Sequence, residues 1–352
     1  MRKRNVIMNK GLNLIKTLIT IAISLVIGII TIALTSSEPL NAIDAFFRGP
    51  FSNSYFFGNM LASSIPLILT GLAASIAFSA SAFNLGLEGQ VYFSALVGTF
   101  LAVKLSSLPV FLLIIVVFAA SSLAGGLLAA ISGYLKAKWN VNELISSLLV
   151  SYTIIYVTDF FVEGPFKDPM AGLSASPYFS EKLMFSKILP PSNLHTGIFI
   201  ALGIVVFMYF VCKKSNLGFE ICITGRNKLF SKYAGISIGK IMIISMMISG
   251  VLAGLAGMID VFGIHGRVIR GFSAGYGWNG IAVALIARSN PILVIPAALF
   301  FAFLESGANV GSILSDITPE VARIIQSVVF YLVTAEGLLS FIKSRKKVKT
   351  DD

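Results

Sequence analysis

The chain has 352 residues, of which 56% are hydrophobic and only 12% are charged. Soluble domains carry about 25% charged residues, so this chain has too few charges to cover a water-facing surface. Its apolar residues come in blocks of about 20, a length that matches the thickness of a bilayer. Composition therefore predicts an all-α polytopic membrane protein and leaves no polar stretch long enough for a separate soluble domain.

The net charge of +11 is not spread as a nucleic-acid-binding surface would be. Lys and Arg concentrate at 2–16, 136–138, 213–240 and 343–349, and each cluster adjoins an apolar block. Cytoplasmic loops have this pattern under the positive-inside rule. The sequence therefore predicts no nucleic-acid partner and places both termini in the cytoplasm.

In chain order, the apolar runs predict about ten transmembrane helices, near 16–35, 58–79, 88–104, 109–134, 143–162, 196–212, 239–261, 277–290, 291–311 and 320–342. The first run is interpreted as a retained span, because no A-x-A cleavage signal follows it. The whole chain, 1–352, is predicted to be one transmembrane domain. Its polar parts are a cytoplasmic N-tail (1–15), an external loop (163–195), a long cytoplasmic loop (213–237) and a cytoplasmic C-tail (343–352).

A weak internal repeat relates the two halves. Leu69–Ile76 resembles Leu252–Ile259, and further on Phe83–Gly86 matches Phe272–Gly275. The copies begin in the second and seventh predicted spans, so they would have opposite topology. Inverted repeats with broken helices are a transporter architecture, although chance similarity between apolar helices is an alternative.

The first polar segment inside an apolar region is 83–90. Polar groups at membrane depth are costly and persist where they line a cavity or meet each other. Asn84, Glu88 and Gln90 are therefore candidates for a broken helix beside a solute pathway. The alternative is an ordinary loop, with Glu88 at the positive end of the helix that follows.

The long cytoplasmic loop predicts a short amphipathic helix over 228–234. Asn227 is a plausible N-cap and Gly235 a plausible residue after the C-terminus. Leu229, Phe230 and Tyr233 would share an apolar face that lies on the membrane or enters a groove of a partner. The alternative is that this helix packs under the bundle.

The third segment, 267–280, combines four glycines with aromatic rings. Trp278 and Asn279 could stack on and hydrogen-bond to a nucleobase or sugar, or the rings could anchor the interface. Asp260 and Glu305 are candidate pathway or proton-relay groups, or they pair with a basic neighbour or cap a helix.

The sequence shows no motif for nucleotide hydrolysis, metal binding or catalysis. The chain lacks a G-x-x-x-x-G-K-[ST] motif, so it is not expected to hydrolyse nucleotide through a P-loop. The histidines, His195 and His265, stand apart in the sequence from Cys, Asp and Glu clusters, which predicts neither a metal site nor a catalytic triad. The chain is therefore not expected to be an enzyme.

Three ordered segments carry a resemblance to one family. They are Asn84-Leu-Gly-Leu-Glu-Gly-Gln90, then Asn142-Glu-Leu-Ile-Ser-Ser-Leu-Leu149, and then Gly218-Phe-Glu-Ile followed by Gly225-Arg-Asn and Tyr233-Ala-Gly-Ile236. Together with Gly277–Leu285 and Asn290-Pro291, they resemble the bacterial ABC importer permeases for nucleosides and simple sugars. The nearest branch is the one that works with basic-membrane-protein-type binding lipoproteins.

The resemblance implies a permease in the bacterial inner membrane, paired with a second permease (another chain or a copy of itself). ATPase subunits and an extracytoplasmic binding lipoprotein would complete the importer. This chain would bind no cofactor, and ATP-Mg would bind the ATPase. The resemblance makes 218–236 the coupling segment, with Gly218, Glu220, Arg226, Asn227, Leu229, Phe230, Tyr233 and Gly235 as its candidate contacts. It favours a purine nucleoside as the solute, with simple sugars or riboflavin as alternatives.

An ion-coupled secondary transporter is the alternative outside this class. Glu88, Asp260 or Glu305 would then be essential, and uptake would follow a proton or sodium gradient. A membrane-embedded enzyme is disfavoured, because no cluster of catalytic type is visible.

Overall fold

The structure is a computed structural model that describes residues 2–332 and 334, with side chains from residue 19 onward. Within these residues the chain is helical, and extended pairing is limited to two isolated bridges, Ala175 with Ile269 and Lys187 with His195. The predicted all-α class is confirmed.

The helices are α1 (Arg2–Thr35), α2 (Pro39–Arg48), α3 (Ser54–Ser79), α4 (Leu87–Lys104), α5 (Val110–Trp139), α6 (Glu143–Glu163), α7 (Gly197–Lys214), α8 (Asn216–Arg226), α9 (Lys228–Tyr233), α10 (Ile238–Asp260), α11 (Tyr276–Ile286), α12 (Val294–Leu314) and α13 (320–332). They form two compact units, Leu61–Leu299 and the described residues on either side of that range.

Among the described residues, six helices are long and apolar enough to cross a membrane: α3, α5, α6, α7, α10 with its extension to His265, and α12. The run at 277–290 differs from its prediction as a span, because α11 has only 11 residues. At 1.5 Å per residue it is about 16 Å long, roughly half of a hydrocarbon core. A turn with left-handed backbone at Arg288 and Ser289 follows it. The run at 320–342 extends beyond the described residues.

The larger unit is built on a close crossing of α4, α5 and α10. A Cβ atom on Gly254 of α10 would lie 2.6 Å from the Ser94 hydroxyl of α4 and 2.9 Å from the Ser121 carbonyl of α5. Gly250 and Gly125 face each other in the same seam. Small residues spaced four apart, as Gly250 and Gly254 are, allow helix backbones in a membrane to approach closely.

Both copies of the predicted repeat have the order helix, break, helix. The first break, residues 80–86, joins α3 to α4, and the second break, residues 266–275, follows a π-helical turn (Val261–His265) at the end of α10. The matched motifs Phe83–Gly86 and Phe272–Gly275 each end one residue before the next helix begins. The chain is thus non-helical at both predicted breaks, while a position of these breaks at membrane depth and the opposite topology of the copies stay predictions.

The smaller unit is anchored by one exposed carboxylate. Asp316 accepts hydrogen bonds from the hydroxyls of Ser36 (2.5 Å) and Ser37 (2.6 Å) and from the Ser37 backbone N–H (2.6 Å). Because these bonds stabilise the charged form, they lower the pKa of Asp316 to about 2. The contact ties the end of α1 to the residues just beyond α12.

Candidate functional site

The first break contains a buried pair of amide side chains. Asn84 donates to the Gln90 oxygen at 2.9 Å, and Gln90 donates back to the Asn84 oxygen at 3.0 Å. Asn84 also donates to the Ser249 hydroxyl of α10 at 3.0 Å and accepts from the Gly86 N–H at 3.0 Å. The amides therefore satisfy each other and join the first break to α10, which avoids the cost of unpaired polar groups inside the bundle.

Glu88 connects the first break to the second break. Its carboxylate accepts from the Ser273 hydroxyl and from the backbone N–H groups of Gly275 (3.2 Å) and Gly277 (2.6 Å). Since α11 begins at Tyr276, the Gly277 N–H is one of the donors that a helix start leaves unpaired. Glu88 thus caps α11. The alternative drawn from the sequence placed Glu88 at the positive end of α4, the helix in which it lies.

Trp278 and Asn279 lie in the first turn of α11. Gly277 and Gly280 form the inner face of this helix, where Cβ atoms would lie 2.7 Å from Glu88 Cα and 2.6 Å from Thr70 Cβ. Trp278 is 42% exposed. The structure therefore pairs Asn84 with Gln90 and bonds Glu88 to the second break, while the side chain of Trp278 is exposed.

A buried carboxylate, that of Asp260, lies next to His265 at the end of α10. The His265 Nε2 lies 3.3 Å from one Asp260 oxygen, and the Tyr276 hydroxyl donates to the other at 3.2 Å. Among the alternatives that the sequence left open for Asp260, this contact favours pairing with a basic neighbour. The physical reason is the π-helical turn Val261–His265, whose i to i+5 pairing brings Asp260 and His265 together. Glu305 lies on α12, in the smaller unit.

The loop at 163–195, predicted to be external, is tied to the second break by hydrogen bonds that the sequence did not predict. Ser176 N–H donates to the Val268 carbonyl at 2.9 Å, and Arg270 N–H donates to the Ser174 carbonyl at 3.0 Å. The Arg270 side chain also pairs with two carboxylates of α6, Asp159 (3.5 Å) and Glu163. The second break is thus held from outside the bundle by the loop and by α6.

In the loop at 213–237, predicted to be cytoplasmic, α8 is docked on the bundle. The Ser215 hydroxyl caps α8 by accepting from the Gly218 N–H at 3.0 Å, and a Cβ on Gly218 would lie 2.6 Å from Cys212 Cα at the end of α7. At its other end, the Gly225 carbonyl accepts from the Ser81 hydroxyl of the first break at 2.8 Å. A direct hydrogen bond therefore joins this loop to the first break.

The helix that follows, α9, presents its apolar side chains outward. Asn227 caps it by accepting from the Phe230 N–H at 2.9 Å, and Gly235 follows it with φ +77°, so the predicted capped helix is confirmed. Leu229, Phe230 and Tyr233 are 71%, 53% and 91% exposed. The alternative of packing under the bundle therefore fits α8, where Ile221 is buried, but does not fit α9. Of the remaining candidates, Glu220 is half-buried and Arg226 is exposed.

Residues 56–334 match a family described as the permease component of the branched-chain amino acid transport system. The matched range includes both breaks and the loop at 213–237 that carries α8 and α9. The chain belongs to this permease family. It is therefore a multi-pass membrane subunit of a transport system, and its role is transport and not catalysis.

Relatives of this permease are similar along almost their whole length. A guanosine ABC transporter permease of Bacillus subtilis, NupP, is 31% identical over 343 residues, which cover 96% of this chain and 97% of the relative. A glucose ABC transporter permease of Haloferax volcanii, TsgB13, is 31% identical over 90% of this chain and 86% of its own. A nucleoside permease of Lactococcus lactis, NupB, is 28% identical, with 96% and 95% covered. The resemblance predicted from the ordered motifs is confirmed.

Proposed function

We propose that this permease is the transmembrane subunit of an ABC importer that carries a nucleoside, with a purine nucleoside favoured over a simple sugar. Residues 1–352 act as one permease domain in the cytoplasmic membrane, with both termini in the cytoplasm. A second permease, two ATPase subunits that bind ATP-Mg, and an extracytoplasmic binding lipoprotein complete the importer. The guanosine, nucleoside and glucose permeases among its relatives support this substrate range.

One observation carries the proposal, the outward apolar face of α9. A capped helix that exposes Leu229, Phe230 and Tyr233 fits the groove of a partner protein. In this proposal the groove belongs to the ATPase, and closure of the ATPase pair on ATP moves α9 as a rigid body.

The contacts of the larger unit give that movement a route. From α9 it reaches α8, whose Gly225 carbonyl is bonded to Ser81 of the first break. From the first break it reaches α10 through Asn84 and Ser249, and α11 through Glu88. Because both breaks are connected to α8 and α9, the bundle can switch between outward-open and inward-open states in one step.

The test is uptake of guanosine and of glucose into proteoliposomes that contain the permease with its ATPase and binding lipoprotein. Leu229→Asp and Tyr233→Asp are each expected to lower ATP-dependent uptake at least about tenfold, because a charge on this face is not accepted in an apolar groove. Both variants are expected to insert and to purify as the parent does. Lys232→Gln, which changes an exposed residue of the same helix, is the matched control and is expected to retain uptake.

Two results would contradict the proposal. Uptake at the parent rate in both aspartate variants would remove the role of α9. Uptake that persists without ATP and follows a proton or sodium gradient would assign the permease to the ion-coupled class, with the buried Asp260–His265 pair as its first candidate relay.

A further inference from the structure

A groove of about 370 Å³ lies between the C-terminal end of α5 and the start of α10. Its floor is narrow, because a Cβ on Gly239 would lie 3.2 Å from Ala137 Cβ, so the two helices nearly touch there. Longer side chains form the walls: Tyr134 and Lys138 from α5, and Lys240, Ile243 and Ile244 from α10. The groove is thus open to the surroundings and mostly apolar below a basic rim.

An exposed apolar stripe on α5 leads into this groove. Leu123, Leu127, Ile131 and Tyr134 are 57%, 63%, 46% and 44% exposed, and their spacing of three or four residues places them on one helix face. Since α5 is long and apolar enough to cross a membrane, an exposed apolar face of this length is suited to contact lipid tails. A tail that follows the stripe reaches Ile243 and Ile244 at the groove.

The rim has concentrated positive charge. The Lys138 ammonium donates to the Tyr134 hydroxyl at 2.9 Å and lies 5.0 Å from the centre of the Trp139 ring, so it is held at the rim. Lys240 is exposed on the facing helix. The nearby Lys136 is paired with Glu143 at 3.2 Å, whereas none of the described residues that line the groove is acidic.

We propose that this groove binds an anionic phospholipid, with the headgroup phosphate at Lys138 and Lys240 and one acyl chain against Ile243 and Ile244. A phosphate attracts both ammonium groups, and the apolar walls select a ligand that carries a tail over a free anion. Trp139 and Tyr134, as interfacial aromatic residues, set the depth of the site at the headgroup level. With the termini in the cytoplasm, the site faces the leaflet whose anionic lipids attract basic segments near the membrane surface.

The chain provides its own reporter, because Trp139 and Trp278 are its two tryptophans. In a Trp278→Phe background, the emission of Trp139 is followed as the full-length permease is placed in bilayers with brominated phosphatidylglycerol or brominated phosphatidylcholine. Brominated phosphatidylglycerol is expected to compete for the groove with an apparent affinity about 25-fold higher, since each of the two lysines near the anionic headgroup contributes roughly a fivefold preference.

The lysines are tested by charge removal. Lys138→Gln with Lys240→Gln is expected to reduce the two lipids to equal affinity. Lys213→Gln with Lys214→Gln removes the same charge from two exposed lysines at the end of α7 and is expected to keep the preference.

Three outcomes overturn the proposal. They are equal quenching by the two lipids in the parent, a preference that survives in Lys138→Gln/Lys240→Gln, and quenching of Trp139 by neither lipid. The last outcome means that a protein partner covers the groove. None of these results depends on ATP or on uptake, so a failure here is separate from a failure of the proposed transport function.

Discussion

At the scale of single residues, the buried polar groups of the larger unit work mainly as connectors. Asn84 and Gln90 use their amides on each other, on Gly86 and on Ser249, and Glu88 uses both oxygens on the second break. A group that is already saturated in this way is a poor solute ligand, since binding would have to replace bonds that are already formed. Their role as pathway residues stays a prediction, and their contacts favour holding the two breaks together.

His195 makes the external loop sensitive to acid. Its ring is buried, stacks on Phe185 with ring centres 5.7 Å apart, and accepts from the Gly197 N–H at 3.2 Å. Burial lowers the pKa of His195 from 6.5 to about 4, with nearby Lys187 adding to the shift and Asp260 opposing it. As the pH falls, His195 is therefore protonated in the unfolded loop before it is protonated in the folded loop. The neutral, buried ring of His195 therefore stabilises the folded loop fully above about pH 6.5, and this stabilisation is lost as the pH falls toward 4.

The expected outcome is faster proteolysis of the external loop at about pH 5 than at about pH 7.5, by several-fold, measured on purified permease. In His195→Phe, which keeps an aromatic ring beside Phe185, the rates at the two pH values should be nearly equal after correction for the pH dependence of the protease. An unchanged pH dependence in this variant would show that another group is responsible.

At the scale of elements, glycine determines how closely the helices of the larger unit approach. Gly254 has the Ser94 hydroxyl and the Ser121 carbonyl where a Cβ would be, whereas a Cβ on Gly203 of α7 would meet nothing within 4 Å. Both glycines lie inside helices, so the intrinsic effect of Gly→Ala on helix formation is the same at the two positions, about 1 kcal/mol in favour of alanine. The different tertiary surroundings of the two glycines should therefore give Gly254→Ala and Gly203→Ala opposite effects on stability.

Gly254→Ala is expected to lower the thermal transition of the detergent-solubilised permease, because overpacking costs about 1–3 kcal/mol and exceeds the gain in helix propensity. Gly203→Ala should leave the transition unchanged or raise it. The measurement is the fraction of monodisperse protein by size-exclusion chromatography after heating. Equal behaviour of the two variants would show that the α4–α5–α10 crossing is looser than the structure indicates.

At the scale of the whole molecule, the question is how a movement of α9 reaches the centre of the membrane bundle. A hydrogen bond from the Ser81 hydroxyl to the Gly225 carbonyl links the first break directly to α8. Ser81 has φ +52°, a left-handed conformation that glycine adopts without strain. Ser81→Gly therefore removes the hydroxyl and leaves the backbone in a conformation that it tolerates.

We expect Ser81→Gly to retain ATP hydrolysis by the assembled importer and to reduce solute uptake per ATP by about three- to tenfold, since the net contribution of one hydrogen bond is roughly 0.5–1.5 kcal/mol. Ser79→Ala is the matched control, because the Ser79 hydroxyl bonds within α3, to the Ser75 carbonyl at 2.8 Å. Uptake and hydrolysis are measured on the same vesicles. A ratio equal to the parent's in Ser81→Gly would remove this link from the coupling route.

The sequence by itself determined the class of the molecule and its local elements. Apolar runs indicate membrane helices because a bilayer accepts little else, and Asn227 with Gly235 marks the ends of a short helix because cap chemistry is local. The ordered motifs were sufficient to indicate the permease family. In each case the information lies in short stretches of consecutive residues and in their order along the chain, and it does not depend on which stretches pack together.

Only the tertiary structure decided which residues meet. It paired Glu88 with Gly277, Asn84 with Ser249 and Ser81 with Gly225, and each pair is separated by more than a hundred positions in the chain. It also paired Asp260 with His265 through a π-helical turn, and it shortened the span expected at 277–290 to the 11 residues of α11. The physical reason is that a polar side chain in an apolar bundle bonds to whichever donor the packing brings near, and that packing depends on all the helices together.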